Sequence, residues 1–400
     1  MGKEAFWTKQ PGFALYTTYT IIKALIQLPC LMILYTVPHF RPLREWTFQQ
    51  AFARAMTRLI FDYASIVELS IPPSLEQGKE GDRFVIIAPP DDDGTQSIYR
   101  GVASPNSEPN PSLPSTSTPR PVPIGGTWFP SPFHTHHRQP SSSSSSSKVF
   151  LHFHGGAYVL FDSRDRDMGF GARLLLDASP AGSAVLCPQY RLASAARPHH
   201  RFPAALQDAI TAYAHLVLRL RVPPRDVVLS GDSAGGNLAL ALLRYLCEAP
   251  RGHRLPRPGG VLLWSPWTDL SVRPETLAAR EEDRFDLVPP RLAAWALRVF
   301  LPEKVGGGQE GGNVCEDPYI SPVKKGIVTE VPIWVQWGGR EIIKQDIRRF
   351  VDVQKQAGAR LGTFEIPNAP HDMFMAGEGL GFVKECKEAA RHAIRFLDGK

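Results

Sequence analysis

From Lys148 to the end of the chain, short apolar runs alternate with longer stretches of helical periodicity, and no other feature restricts the fold so tightly. The runs VFLHF, SAVLCPQY, VVLS, VLLWS and PIWVQW, and the run from Thr363 to Ile366, are separated by helical patterns near 204–220, 233–247, 344–356 and 382–396. Runs this short and this apolar read as strands buried on both faces. Strands separated by helices pair in parallel, because each crossover lays a helix over the sheet. The expectation is an α/β domain with a mainly parallel central sheet covered on both faces. Ligands on such sheets sit beyond the carboxyl ends of the strands, which is where reactive residues should be sought.

The run from Asp226 to Ser230 leads into Gly231-Asp232-Ser233-Ala234-Gly235, then Gly236-Asn237 and an apolar helical pattern, LALALLRYL. A G-x-S-x-G pentapeptide alone is a weak signal; between a strand and a helix it is a strong one. The tight turn holds the serine in a strained conformation, and glycines two residues to either side remove the side chains that would block it. Ser233 then stands at a helix N-terminus, where the helix dipole and the N–H of Ala234 face a developing oxyanion. About 80 residues earlier, His154-Gly155-Gly156-Ala157-Tyr158 follows VFLHF directly. Consecutive glycines let backbone approach a substrate carbonyl, so the N–H groups of Gly155 and Gly156 are expected to join that of Ala234 in an oxyanion hole. His154 is read as orienting this loop, not as a metal ligand.

A neutral serine hydroxyl needs a base, and on sheets of this kind the chain order is serine, acid, histidine. Of twelve histidines, His371 in APHDMF is the one that follows the last expected strand. The acid should follow PIWVQW. Glu341, in Gly338-Gly339-Arg340-Glu341, is the nearest carboxylate past its end, and Asp346, about a turn and a half farther on, is the competitor. The acid's task is to hold the imidazole tautomer and to stabilise the imidazolium.

HGGAY at His154, YRLA at Tyr190, FPAALQD at Phe202, GDSAGGN at Gly231, SPWTDLS at Ser265 and the terminal PHDMF together resemble the hormone-sensitive-lipase-like α/β-hydrolases, including arylacetamide-deacetylase-like esterases. The resemblance covers roughly residues 148–396. It implies an α/β-hydrolase fold with a helical N-terminal cap, and a metal- and cofactor-independent hydrolase of acetyl or short- to medium-chain esters. It also implies a triad of Ser233, Glu341 and His371, with Gly155, Gly156 and Ala234 as the oxyanion hole. Gln189 stands where relatives carry an acid before YRLA, Ala157 replaces a frequent third glycine, and Glu341 replaces a frequent aspartate. None of these removes a reacting group. A ligand receptor that has lost its base, or an acyltransferase that excludes water from the acyl-enzyme, are the rival readings on the same fold.

The rest of the chain reads as additions to this domain. Residues 1–65 form a hydrophobic and amphipathic helical segment, and residues 66–400 form the catalytic domain. Within residues 13–37, FALYTTYTIIKALIQLPCLMILYTV carries a single charge, Lys23. As a helix it would extend roughly 37 Å, enough to cross a bilayer. A spanning anchor, an interfacial helix and a helix capping the active site all fit it. A second amphipathic helix is expected from Thr47 to Ile66, with Phe48, Phe52, Met56, Leu59, Ile60 and Tyr63 at helical spacing. Residues 91–122 and the tract ending in Ser141–Ser147, about 131–147, are too polar to offset ordering entropy and read as disordered surface insertions. Between them, GGTWFP reads as a short strand, and the cluster of His134, His136 and His137 as a solvated loop.

The formal charge of +6 does not describe a nucleic-acid groove. Lys3, Lys9, Lys23, Arg41, Arg44, Arg54 and Arg58 outnumber Glu4 and Glu45 in the first sixty residues, which carry nearly all of the excess. A basic, apolar N-terminus suits an anionic membrane surface. Five scattered cysteines offer neither a disulfide framework nor zinc-like spacing. The expected partner is therefore a lipophilic small-molecule ester, with membrane association through residues 13–37, at the endoplasmic reticulum, or else a cytoplasmic location. No N-x-S/T site with a permitted middle residue occurs.

Overall fold

A computed structural model of the 400-residue chain describes residues 4–90, 97–105, 119–133, 147–249, 254–302 and 314–399. Its centre is one eight-stranded sheet: β1 (Phe84–Ile87), β2 (Ile124–Phe129), β3 (Val149–Phe153), β4 (Ala184–Pro188), β5 (Val227–Asp232), β6 (Gly260–Trp264), β7 (Ile333–Gly338) and β8 (Leu361–Ile366). The spatial order is β1-β2-β4-β3-β5-β6-β7-β8. Strands β3 to β8 run parallel, while β1 and β2 pair antiparallel at one edge. Every residue of β3, β5, β6 and β7 is buried, which is why these segments read as unbroken apolar runs rather than alternating ones.

The helices are α1 (Glu4–Trp7), α2 (Gly12–Leu34), α3 (Phe48–Val67), α4 (Asp165–Ala178), α5 (Ala204–Ala214), α6 (Ala234–Glu248), α7 (Pro274–Ala278), α8 (Pro290–Phe300), α9 (Lys344–Gln356), α10 (Met373–Leu380) and α11 (Val383–Leu397). Helices α4, α10 and α11 pack together in one layer, and α5 packs on α6 in another. The sheet's switch point falls at β3. The chain leaves β3 for β4 on one side, then returns to pair β5 on the other, with Phe153 beside Gly231 in register. The loops after β3 and β5 therefore emerge together, in the crevice where such folds bind ligands.

Two additions stand over this end of the sheet. One is α3, which opens on a reciprocal cap in which the Thr47 side chain accepts from the Gln50 N–H and the Gln50 side chain accepts from that of Thr47. The other is the insertion between β6 and β7 that holds α7 and α8, and α3 packs against α8. By contrast α2 buries only Gly12. Its Leu25, Ile26 and Ile33 are 70%, 64% and 73% exposed. Thr17 of α2 hydrogen-bonds the Tyr63 hydroxyl of α3 at 2.9 Å, so α2 is fastened to the cap at its N-terminal half.

One expectation needs correction. Within the polar stretch 91–122, residues 97–105 are packed, not a surface insertion: Ile98, Tyr99 and Ala103 are buried, and the Tyr99 hydroxyl meets Thr211 of α5 at 2.7 Å. Gln207 of α5 donates to the carbonyls of both Ala103 and Pro119. Two adjacent apolar residues in a polar stretch suffice to anchor it once backbone carbonyls find buried donors. The histidine cluster at 134–137 and residues 141–146 of the serine run lie outside the described residues. Among the described residues no cysteine forms a disulfide; Cys187, Cys315 and Cys386 are buried as expected of small hydrophobes, whereas Cys30 is exposed on α2.

Candidate active site

Ser233 sits between β5 and α6 with φ 50° and ψ −116°, a conformation L-residues adopt only under constraint. The constraint is visible in its flanking glycines. A Cβ on Gly231 would lie 2.2 Å from the Gly235 carbonyl oxygen, and one on Gly235 would lie 1.9 Å from that of Phe153. No larger residue fits either position while the turn and the β3 strand end keep their places. Ser233 Oγ is 2.8 Å from His371 Nε2, and His371 Nδ1 is 3.0 Å from Glu341 Oε2. Ser233 follows β5, Glu341 follows β7 and His371 follows β8, so three strand ends deliver one hydrogen-bonded chain.

Asp346 takes no part in that chain. It is held by Arg280 through two contacts, 2.7 and 3.0 Å, on the first turn of α9. Glu341 is wholly buried, and burial pushes its carboxyl upward while the hydrogen bond from His371 opposes that. Burial opposes charge on His371, but the hydrogen bond to Glu341 and the nearby carboxyls of Glu341, Asp286 and Asp372 outweigh it and raise the imidazole overall. The pair thus favours the imidazolium that proton transfer from Ser233 would create.

The loop after β3 departs from expectation at one residue. Gly155 donates its N–H to Asp232 Oδ2 at 2.8 Å, so this N–H is not available to a substrate oxyanion. Gly156 and Ala157 line the cavity beside Ser233 instead. The loop turns there through three successive positive φ values, at Gly156 (94°), Ala157 (55°) and Tyr158 (63°). Ala234 opens α6, where the first helical N–H groups have no intrahelical acceptor. His154 orients this loop as expected: its Nδ1 bonds the Gly155 carbonyl at 2.8 Å and its ring stacks on Tyr190 at 4.3 Å.

Asp232 and Asp372 were not singled out by the sequence reading, although each adjoins a residue that was. Asp232 also meets His152 Nε2 at 2.9 Å, and burial holds that imidazole neutral, down at about 3. Burial likewise lifts Asp232 to about 6 and Asp372 well above the usual carboxylate range, and the two carboxyls hydrogen-bond each other. One shared proton satisfies both. The Asp232 carboxylate therefore ties the loop after β3 to the loop of His371.

These groups open on a cavity of about 300 Å³. Thr57, Ile60 and Phe61 of α3 form one wall, and Trp267, Leu277, Leu287, Val288 and Leu292 of the insertion form another. Apart from Ser233, His371 and Asp372, the polar lining is Thr57 and the Arg166–Asp167 pair.

A sequence profile described as alpha/beta hydrolase fold matches residues 150–375, more than half of the chain. An esterase of Acinetobacter venetianus is 29% identical over 221 residues, covering 55% of this chain and 65% of that protein. An acetyl-hydrolase of Streptomyces hygroscopicus is 31% identical over 224 residues, covering 56% of this chain and 67% of that one. The chain thus spans about two thirds of the length of these curated relatives. A solved esterase of the bacterial hormone-sensitive lipase family superposes with a TM-score of 0.51 at 28% identity, covering 68% of this chain and 82% of that one. By the profile match, the parallel sheet and its serine turn, the chain belongs to the alpha/beta hydrolase fold family.

Proposed function

We propose that this protein is a serine hydrolase of carboxylic esters, with Ser233, His371 and Glu341 as its catalytic residues. The observation that carries the reading is the hydrogen-bonded chain from Ser233 through His371 to Glu341 at the floor of an apolar cavity. Ser233 Oγ attacks the ester carbonyl while its proton passes to His371 Nε2. The oxyanion is received by the N–H groups of Gly156, Ala157 and Ala234. His371 then gives its proton to the departing alcohol, and a water activated by the same nitrogen hydrolyses the acyl-enzyme. Glu341 holds Nδ1 protonated and balances the imidazolium in both halves of the cycle.

The substrate is a lipophilic ester with an acetyl or short- to medium-chain acyl group. A cavity of this volume lies at the small end of ligand pockets, and most of its wall is apolar, with Thr57 and the Arg166–Asp167 pair the polar groups outside the reacting residues and Asp372. The relative named acetyl-hydrolase is in keeping with this. The substrate reading is tested with p-nitrophenyl esters of increasing chain length, without added metal. Turnover should peak at short to medium chains and vanish in His371→Ala; a folded protein that hydrolyses none of them refutes it.

We further read α2 as a membrane anchor. It has 23 residues, about 35 Å of helix, and carries apolar side chains on all sides, whereas an interfacial helix needs a polar face. Capping belongs to α3 and not to α2, since α3 lines the cavity. Flotation with lipid vesicles tests the anchor: the wild type should float, and the full chain carrying Leu25→Lys, Ile26→Lys and Ile33→Lys should stay at the bottom.

A further inference from the structure

The insertion that roofs the cavity carries a carboxylate that this mechanism does not use. Asp286 is fully buried, and its two oxygens are divided between the loops that hold the base and its acid. Oδ1 accepts the backbone N–H of His371 at 3.0 Å and that of Leu287 at 2.7 Å. Oδ2 accepts the N–H of Ile342, the residue after Glu341, at 2.6 Å. One rigid group therefore spans the β7–α9 and β8–α10 loops and fixes their separation. Leu287 and Val288, its neighbours in sequence, line the cavity, whereas Asp286 is turned to the loops.

The segment that presents Asp286 is held in turn by α3. Arg54 donates to the carbonyls of Phe285 at 3.0 Å and Arg284 at 2.7 Å. Arg58 donates to the carbonyls of Asp283 at 3.0 Å and Asp286 at 3.1 Å, and pairs with the Asp283 carboxylate at 2.8 Å. Two guanidinium groups on successive turns of one helix thus grip a short stretch of backbone by its carbonyls. Helix α3 is the element to which the exposed α2 is fastened.

We infer that Asp286 is a positioning residue for His371 and Glu341, and that α3 sets its place through Arg54 and Arg58, making the N-terminal cap part of the catalytic geometry. This rests on the serine-hydrolase reading above. A displacement of the imidazole by about 1 Å is enough to cost on the order of a hundredfold in rate, so a clamp on its backbone acts directly on turnover. The clamp is also charged. His371 faces Ser233, Glu341, Asp286, Asp372 and Asp232, and Asp286 faces Arg54 and Arg58 from α3 and His371 and Glu341 from the loops. Its carboxylate favours the imidazolium.

The test is Asp286→Asn in the full chain, which keeps size and one acceptor oxygen but turns an amide N–H toward either Ile342 or the His371 and Leu287 pair of donors. On p-nitrophenyl butyrate, kcat should fall about 10- to 100-fold with KM within about twofold of wild type, because Asp286 does not touch the cavity. The acid limb of kcat/KM should move to lower pH. The same movement should be seen in His371 itself, followed by NMR of histidine-labelled protein, a readout that needs no ester. The Arg54→Met/Arg58→Met pair should lower kcat alike and be non-additive with Asp286→Asn. An Asp286→Asn protein with wild-type kcat overturns the inference, and so does a kcat loss matched by lost folded fraction with the His371 titration unmoved. Should the wild type hydrolyse no ester, the esterase reading fails, while the His371 titration still decides whether Asp286 governs that imidazole.

Discussion

Replacing Glu341 by glutamine tests the proposed triad acid against Asp346, its competitor five residues on. Glu341 Oε2 lies 3.0 Å from His371 Nδ1, and Glu341 itself has no solvent exposure. At an effective dielectric of about 20, a unit charge at that distance from an imidazolium is worth about 5 kcal/mol. An amide oxygen turned toward Nδ1 keeps the hydrogen bond and forfeits most of that charge. An amide nitrogen turned the same way forces the other tautomer, with Nε2 protonated and unable to accept from Ser233. Either outcome points to a loss of about 10³ to 10⁴ in kcat, since each 1.36 kcal/mol is about tenfold. Asp346→Asn instead breaks an ion pair with Arg280 remote from the imidazole, and should change kcat by less than about threefold while lowering the melting temperature by a few degrees. The assay is steady-state hydrolysis of p-nitrophenyl butyrate with both proteins shown folded by circular dichroism. A Glu341→Gln enzyme within tenfold of wild type, or an Asp346→Asn enzyme that is dead while folded, refutes the reasoning.

Other expectations follow from the same geometry. Gly156→Ala places a Cβ 2.4 Å from the Leu160 carbonyl at a φ of 94°, so the oxyanion loop must shift and kcat should fall about 10² to 10³ with little change in KM, measured by the same assay. Gly235→Ala has no such latitude, because its Cβ would meet the Phe153 carbonyl at 1.9 Å; thermal unfolding should show a loss of about 3 kcal/mol or failure to fold. The base must be neutral to accept the serine proton. The Glu341 contact raises His371, so the acid limb of kcat/KM should lie above the ordinary imidazole value of about 6.5 in a pH–rate profile. Phe61 packs edge-on against Phe161 at 5.9 Å in the cavity wall, and Phe61→Leu should move the preferred acyl length upward in a chain-length series.

The strands that were easiest to read, β3 and β5 to β7, are those buried on both faces, because there the sequence has no reason to alternate. FVII of β1 escaped notice: it is a four-residue edge strand with Val85 and Ile86 partly exposed, too short to carry a pattern. Ser233, His371 and Glu341 were legible because each is fixed by its position just after a strand. The part each N–H plays in the loop after β3 was less legible. Which N–H of a glycine pair faces the cavity depends on the signs of successive φ angles, and on an Asp232 carboxylate that claims the N–H of Gly155. Asp286 had no local signature at all, since its partner His371 is 85 residues away and its role is made by a crossing of two loops. The packing of Ile98 and Tyr99 was hidden by the polar composition around them.

The central claim is that Ser233 is the nucleophile, and covalent labelling tests it most directly. Wild type treated with a fluorophosphonate should lose activity on p-nitrophenyl butyrate as one phosphonyl group per chain appears on the peptide holding Ser233, read by mass spectrometry. Folded Ser233→Ala should show neither label nor turnover. Turnover retained in Ser233→Ala, or a label on another residue that accounts for the lost activity, would contradict the account.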